Sequence, residues 1–264
     1  MSGLEDAERK QLERRIYNRQ ENLERPAYGD YWDPELYRRM FGYELEPDVD
    51  RLGRRYLTGK EILVLGAGVS DVTNALRYSD QVTAINISER EIERLRGTFP
   101  RVEARVEDAE ELGADRRYQA IYCHSILHHL HPFEEIVERL HAALRPAGVL
   151  FVASEPGLLN PLAAAARAWT PSREHTPGER PFIFSSYHAI LKRHFEIVAA
   201  RRYLLTSMLW PYLARRLPRS RGLWRGLLAA NMRLERGLRA ARLFDAFFWI
   251  VAGVYRRRER PGTD

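Results

Sequence analysis

The sequence predicts an α/β fold built on a mostly parallel sheet. Ile62–Leu65 is an unbroken apolar run, the pattern of a strand that is buried on both faces of such a sheet. Further apolar runs follow at intervals that leave room for a helix between them, and strands separated by helices imply right-handed crossovers. A chain of 264 residues can bury a full core, and this length suits one domain with an elaborated end.

The individual elements follow from the same pattern. Strands are predicted at 61–65, 81–86, 101–106, 119–124, 149–153, 195–203 and 244–255. Helices are predicted at 4–24, in the low seventies, after Ser88, from Pro132, at 157–168 and in an insertion at 205–242. Ser88 and Glu91 have the spacing of a capping box, and proline at 132 suits a first helical turn. The insertion should break near Pro211 and Pro218, because proline removes a helical hydrogen bond.

A glycine turn follows the first strand and points to a nucleotide. Gly66 and Gly68 allow the backbone to pass close to a ligand, and strand, Gly-x-Gly turn and helix form the general architecture of a nucleotide site. A dinucleotide fingerprint requires a third glycine where this chain has Asp71. A carboxylate there would oppose a pyrophosphate. S-adenosylmethionine (SAM) has no phosphate and carries two cationic groups, so the turn favours SAM.

The turn and four later segments resemble, in order, motifs of the class I SAM-dependent methyltransferases. The segments are Glu61–Asp71, Val82–Ile87, Glu107–Ala109, Leu127–Leu130 and Leu144–Gly148. Each is weak alone, but five in order across about a third of the chain are specific. The resemblance implies a Rossmann-like seven-stranded sheet of strand order 3-2-1-4-5-7-6, with helices on both faces and a helical cap inserted between strands six and seven.

The resemblance also implies an activity and a set of ligand contacts. The expected enzyme transfers a methyl group from SAM to a small-molecule or lipid-like acceptor, most often at oxygen or nitrogen. The implied cofactor-binding residues are Gly66, Ala67, Gly68, Asn86, Ile87, Asp108, Ala109 and His124. Val64, Ser70 and Asn86 depart from the family pattern, which leaves a non-catalytic SAM-fold binding or scaffold protein as an alternative. A nucleic-acid methyltransferase is less favoured, because the arginines alternate with Leu and Trp rather than with base-stacking aromatics.

Four histidines, His124, His128, His129 and His131, lie just past the fourth strand. His124 ends that strand and is therefore the candidate catalytic residue near the transferred methyl group. A metal site is the alternative interpretation of the group. We predict no metal ligands, because a short run leaving a strand rarely points three imidazoles at one spot. Cleft-lining and capping roles are the simpler interpretation for His128 and His129.

Two regions outside the motifs complete the predicted organisation. Residues 1–58 form an N-terminal helical cap region, and 59–264 form the SAM-binding domain, with 205–242 as an inserted substrate cap. Contacts to ligands are also considered for two loops, through Tyr28 or Tyr31 and through Arg173, Glu174, His175 and Arg180. Packing and solvation are the simpler interpretations of both loops. Asp108 could cap a turn, and Asp71 could belong to the first turn of a helix, where negative charge is favourable.

The charge is unevenly distributed along the chain. Fifteen arginines and four acidic residues give 201–264 a net charge of +11, so the whole-chain charge of +6 leaves −5 for residues 1–200. A basic amphipathic insertion is typical either of a helix on an anionic membrane or of one that packs on the sheet with solvated arginines. No signal peptide and no spanning segment are recognised, and the single cysteine, Cys123, fits a reducing compartment. We therefore expect a cytoplasmic protein, with peripheral membrane contact as an open alternative.

Overall fold

The protein is described here by a computed structural model that covers residues 3–18, 33–113, 115, 117–169, 179–216 and 221–259. One seven-stranded sheet has the order β3-β2-β1-β4-β5-β7-β6, which confirms the predicted fold class and strand order. The strands are β1 (Ile62–Leu65), β2 (Val82–Asn86), β3 (Glu103–Val106), β4 (Tyr118–His124), β5 (Leu144–Pro156), β6 (Phe195–Tyr203) and β7 (Ile250–Arg257). Strand β7 runs antiparallel to both of its neighbours, β5 and β6, and the other neighbouring pairs are parallel.

Ten α-helices lie within the described residues. They are α1 (Gly3–Tyr17), α2 (Pro34–Tyr43), α3 (Leu45–Tyr56), α4 (Val69–Leu76), α5 (Glu89–Thr98), α6 (Phe133–Ala142), α7 (Pro161–Trp169), α8 (Phe184–His194), α9 (Trp210–Arg216) and α10 (Arg221–Ala240). None of these helices is long and apolar enough to cross a bilayer.

The sheet is covered on both faces, which explains the unbroken apolar run of β1. Ile62 and Val64 belong to the core on one face, which also receives side chains from α4 and α5. Leu63 and Leu65 point to the opposite face, where α6 and α8 pack. Because successive side chains of a strand alternate between faces, a strand buried on both sides needs apolar residues throughout. Cys123 is fully buried in the core of the second face.

A third apolar cluster holds the inserted helices at the carboxyl edge of the sheet. Leu228 and Met232 of α10 pack with Met40 of α2, with Tyr203 at the end of β6 and with Ile250 at the start of β7. Because β7 runs antiparallel, its start lies at the same edge as the ends of β5 and β6. The helical insertion therefore sits at the edge where the parallel strands end.

Four arginines from the basic end of the chain bind acids near its beginning. Arg225 pairs with Glu35, Arg236 and Arg239 pair with Glu44, and Arg201 pairs with Asp48. These contacts join α10 and β6 to α2, α3 and the residue between them. Three acids of the N-terminal helical region thus offset part of the +11 charge, in agreement with the packing interpretation of the insertion.

Two strands begin five or more residues away from their predicted starts. The predicted turn at Leu144–Gly148 is a bulge inside a longer β5, since Leu144 pairs with Tyr118 while Val149 pairs with Ala120. Strand β7 begins at Ile250 rather than at 244, because Phe244 takes a left-handed conformation with φ of 59° and a short 3₁₀ turn follows at Asp245–Phe247.

Helix boundaries differ as well, since the helix predicted at 4–24 ends at Tyr17. Helix α7 starts at Pro161 and not at 157, because Asn160 caps it by accepting hydrogen bonds from the backbone N–H groups of Leu162 and Ala163. Pro211 does not break a helix, since it occupies the second position of α9, where its missing N–H has no partner to lose. Pro218 lies outside the described residues.

Candidate functional site

The glycine turn after β1 is built for a close backbone approach. Gly66 has a φ of +59°, and a Cβ there would lie 2.6 Å from Cδ1 of Ile126, so only glycine fits. The next residue, Ala67, donates its N–H to the carbonyl of Ile85 in β2 at 2.9 Å. Gly68 precedes α4 and donates its N–H to Oδ2 of Asp71 at 2.9 Å. The turn is therefore held rigidly at the end of β1.

Asn86 ties the end of β2 to this turn. Its Nδ2 donates to the carbonyl of Ala67 at 3.1 Å, and its Oδ1 accepts the backbone N–H of Ser88 at 2.8 Å. The side chain is buried. An amide has two N–H donors and two acceptor lone pairs, so each end retains one hydrogen-bonding position for a ligand. Asn86 thus supports the turn in addition to the ribose contact that the resemblance implies.

The segment after β3 meets the N-terminal helix. Oδ1 of Asp108 accepts the N–H of Glu110 at 2.9 Å, and its Oδ2 lies 2.8 Å from Nζ of Lys10 in α1. Nζ of Lys10 is also 3.1 Å from Oε2 of Glu110. These hydrogen bonds raise the pKa of Lys10 well above its usual range, although partial burial acts in the opposite direction and is the largest single influence. Helix α1 therefore lies directly against the candidate adenine contact Asp108.

His124 faces the glycine turn from the end of β4. Its Nδ1 lies 2.8 Å from Oδ1 of Asp71, the residue whose other oxygen binds Gly68. Desolvation would lower the pKa of His124, but the hydrogen bond and charge of Asp71, with the charges of Glu155 and Glu46, raise it overall. A carboxylate can only accept, so Nδ1 carries the proton and Nε2 of the neutral ring is available as a base. The His124 side chain is 41% exposed and can reach a ligand.

Glu155 organises the turn that follows. Its Oε1 accepts the backbone N–H groups of Ile126 and Leu127, both at 2.8 Å, and its Oε2 lies 2.9 Å from Nδ1 of His128. Glu155 is completely buried. Neither Glu155 nor Lys10 was identified as a site residue from the sequence. An acid at the end of an apolar strand was the available signal for Glu155, whereas no local pattern marked Lys10.

The structure brings the predicted site residues to one edge of the sheet. Because β1 to β4 are parallel neighbours, their carboxyl ends lie side by side. These ends carry Gly66, Ala67 and Gly68 after β1, Asn86 and Ile87 at β2, Asp108 and Ala109 after β3, and His124 at β4. Of the loop residues considered, Tyr28, Tyr31, Arg173, Glu174 and His175 lie outside the described residues. The backbone N–H of Arg180 donates to the carbonyl of His128 at 3.0 Å.

The site residues lie in a part of the sequence that matches a known domain. Residues 62–148 match a family model described as a methyltransferase domain. This segment of the chain is thus similar to a methyltransferase domain. The enzyme class and the cofactor, SAM, agree with the expectation from the motifs, and the match spans the segments that carry the resemblance except for Glu61. No curated protein matches the chain in sequence.

Solved structures of methyltransferases share the fold over nearly the whole chain. The Burkholderia thailandensis 1,6-didemethyltoxoflavin-N1-methyltransferase, with bound 1,6-didemethyltoxoflavin and S-adenosylhomocysteine, is 16% identical, with 98% of this chain and 92% of that chain covered and a TM-score of 0.58. The magnesium protoporphyrin IX methyltransferase of Synechocystis PCC 6803, with bound S-adenosylhomocysteine, is 13% identical. The alignment covers 94% of this chain and 100% of that chain, with a TM-score of 0.56.

A cyclase shares the same fold. The [4+2]-cyclase SpnF is 19% identical, with 95% of this chain and 97% of that chain covered and a TM-score of 0.60. At these identities the likeness concerns the fold alone, and the fold hosts more than one reaction. The assignment to methyl transfer therefore depends on the domain match, and the acceptor has to be argued from the site.

Proposed function

We propose that this protein transfers the methyl group of SAM to the oxygen or nitrogen of a small-molecule or lipid-like acceptor. The proposal rests mainly on one observation: the Asp71 carboxylate contacts both the glycine turn and His124. The turn offers backbone to the cofactor, and His124 lies across from it on the neighbouring strand. Methyl transfer is an in-line displacement, so alignment of donor and acceptor supplies most of the catalysis.

His124 is the proposed general base for a hydroxyl or amine acceptor. Its Nδ1 is held by Asp71, which leaves Nε2 to take the proton as the methyl group arrives. Substitution of His124 by alanine should then lower turnover far more than SAM affinity, the signature of a group that acts in the transition state. His194→Gln is the matched control, since this histidine lies at the end of α8, away from the glycine turn.

The N-terminal region 1–58 and the insertion 205–242 are proposed to cover the acceptor. Supporting this, α2 and α10 share one apolar cluster at the carboxyl edge of the sheet, where the cofactor contacts are proposed. A cover of this kind excludes water from the reacting atoms. The proposed cofactor-binding residues are those expected from the motifs, and His124 is proposed to lie beside the methyl group. The others are Gly66, Ala67, Gly68, Asn86, Ile87, Asp108 and Ala109.

Incubation with methyl-labelled SAM and fractionated cell extract tests the proposal. Label should enter a small-molecule or lipid fraction, and the His124→Ala variant should transfer much less of it while still binding SAM. Saturable SAM binding without transfer into any fraction would favour the non-catalytic scaffold. Label in the nucleic-acid fraction would overturn the proposed acceptor class.

A lipid-like acceptor is favoured by one surface feature. A groove of about 550 Å³ contains the side chains of Arg201, Arg202, Arg236, Arg239 and Arg242 and the acid Asp245. Directly beside it, Leu243, Phe244 and Phe247 are exposed, as is the outer stripe Leu223, Leu227 and Leu234 of α10. Arginines next to exposed aromatic residues are typical of contact with an anionic membrane surface, where each basic residue contributes about 1 kcal/mol. Arg201, Arg202, Arg236 and Arg239 also pair with acids of this chain, so each of them should contribute less than that.

Sedimentation with vesicles tests this second part of the proposal. The protein should bind anionic vesicles at low salt and be released at high salt, because the attraction is screened. Phe244→Ser should weaken this binding, whereas Leu158→Ser, at an exposed leucine outside the 242–247 loop, should leave it unchanged. Absence of binding to anionic vesicles would leave a small-molecule methyltransferase whose insertion serves as a cover only.

A further inference from the structure

Three potential metal ligands from two separate segments converge beside the proposed methyl-transfer site. His128 and His129 lie in the 3₁₀ turn after β4, and Glu179 lies in the segment that leads to α8. One ligand atom from each of the three lies within 4.8 Å of the other two. We propose that His128, His129 and Glu179 bind a first-row divalent metal ion of the zinc type.

The orientation of His128 is the first argument. Its Nδ1 lies 2.9 Å from Oε2 of Glu155, which is completely buried and also accepts two backbone N–H groups. Because a carboxylate only accepts, the proton resides on Nδ1, and Nε2 presents its lone pair. Metal-binding histidines have this arrangement, in which a carboxylate fixes the ring and increases the basicity of the ligating nitrogen.

A second buried acid, Glu13, lies beside the ring of His129. Oε1 of Glu13 in α1 lies 3.7 Å from Nδ1 of His129, and this oxygen has no hydrogen-bond partner among the described residues. The Glu13 side chain is more than nine-tenths buried. A buried carboxylate oxygen left unbonded is costly. A metal ion on His129 would increase the acidity of the imidazole N–H and strengthen its attraction to Glu13.

The third ligand is attached to the same turn by the backbone. The N–H of Arg180, next to Glu179, donates to the carbonyl of His128 at 3.0 Å. Two ligands of a tetrahedral zinc ion lie about 3.3 Å apart. The ligand atoms lie within 4.8 Å of one another, so a bound metal would draw the partly exposed Glu179 carboxylate closer to the two histidines. A metal would thus clamp the turn after β4 to the segment before α8.

The donor set determines which ion is expected. Two imidazole nitrogens and one carboxylate oxygen suit Zn²⁺ and Co²⁺, whereas Mg²⁺ prefers oxygen ligands and several waters. Three protein ligands also leave a coordination position open. A metal site was the alternative interpretation of the four histidines in the sequence, but no metal ligands were predicted, and Glu179, which lies fifty residues beyond His129, was not among the candidates.

Titration of chelator-treated protein with Co²⁺ tests the inference without SAM or acceptor. One equivalent should produce visible absorption bands, and Zn²⁺ should abolish them by competition while Mg²⁺ should not. Glu179→Gln and His129→Gln should each weaken Co²⁺ binding by more than about tenfold. His188→Gln is the matched control, since this partly buried histidine pairs with Tyr255 instead, and its affinity should equal that of the parent protein.

Circular dichroism of each variant verifies the fold, and Glu179→Gln changes only a partly exposed side chain. Absence of the absorption bands in the parent protein would overturn the inference. Equal Co²⁺ affinity in the parent, Glu179→Gln and His129→Gln proteins would overturn it as well. Because the readout is metal binding alone, neither result bears on the proposed methyl transfer.

Discussion

Nδ1 of His124 lies 2.8 Å from Oδ1 of Asp71, and this contact joins the end of β4 to the first turn of α4. The other oxygen of Asp71 binds the N–H of Gly68, so one carboxylate holds both the glycine turn and the imidazole. The residue that replaces the third glycine of a dinucleotide fingerprint thus has a structural and an electrostatic role.

The first prediction concerns the pKa of His124, which lies above its ordinary value of 6.5. Asp71→Asn removes the charge that raises this pKa, so the pKa should fall. If neutral His124 is the base, turnover should rise with pH through an inflection above 6.5, and Asp71→Asn should move this inflection to lower pH. NMR titration of the His124 ring measures the same shift directly, and an unchanged pKa in Asp71→Asn would contradict the account.

The raised pKa of His124 also makes the stability of the folded protein depend on pH. Because the folded-state pKa is raised, the contribution of His124 to stability is fully present below pH 6.5 and is lost as the pH rises through the folded-state pKa. The side chain is 41% exposed, so solvent screening keeps this contribution small.

The second prediction separates the two roles of Asn86. Asn86→Ala removes its hydrogen bonds with Ala67 and Ser88 and leaves buried backbone groups unpaired, so the free energy of unfolding should fall by about 2 kcal/mol. If Asn86 also binds the ribose, SAM affinity should fall by a further 1 kcal/mol or so.

Asn160→Ala is the matched control for Asn86. Asn160 is also buried and bonded to backbone, but at the start of α7. Its loss should lower stability without lowering SAM affinity. Denaturant unfolding and calorimetry give both quantities, and normal SAM binding by a folded Asn86→Ala protein would show that the ribose contact is misassigned.

The strands were predictable because burial on both faces leaves a clear pattern. Ile62–Leu65 is apolar throughout, and Phe195–Tyr203 was predicted with its observed bounds. The differences arose where backbone conformation outweighs hydrophobicity. Phe244 is strongly β-prone but takes a left-handed conformation, and the turn at Leu144–Gly148 is a bulge between two paired parts of one strand.

The candidate site was predictable only in its local part. The glycine turn and its neighbours follow each other in the motifs, and the parallel strands bring their ends together. The contacts that tune the site link residues far apart in sequence, such as Lys10 with Asp108 and His124 with Asp71. No periodicity encodes such pairs, because they depend on how α1 and the sheet edge meet in space.

The third prediction concerns the contact of α1 with Asp108. Lys10→Ala removes the cation between Asp108 and Glu110, while Glu110 keeps its ion pair with Arg9 of the same helix as Lys10. Asp108 loses its contact with α1, so α1 should detach more often. Faster hydrogen exchange in α1 at pH 7 is the expected result, with little change in β1. Arg14→Ala changes an exposed residue of the same helix and should exchange like the parent protein. Equal exchange in the two variants would mean that other contacts hold α1.

The fourth prediction concerns Glu235, a buried acid on the arginine-rich helix α10. Its carboxylate accepts the N–H groups of Thr206 and Ser207 and the hydroxyl of Ser207. Glu235→Ala leaves these donors unpaired, so the free energy of unfolding should fall by about 3 kcal/mol. The exposed Glu93→Ala should change it by less than about 0.5 kcal/mol. Urea unfolding compares them, and equal stabilities would contradict the anchoring role of Glu235.

Calorimetric titration of SAM into the parent protein and into Gly68→Val tests the central claim most directly. A Cβ at Gly68 meets only Oδ2 of Asp71, at 3.3 Å, so the variant should fold, while its branched side chain should block the backbone contact to the cofactor. Gly97→Val, at an exposed glycine of α5 with open space around it, is the control. The account predicts one saturable site in the parent and in Gly97→Val and none in Gly68→Val. Unchanged affinity in folded Gly68→Val would place SAM elsewhere, and no saturable heat from the parent at millimolar SAM would contradict a SAM-dependent enzyme.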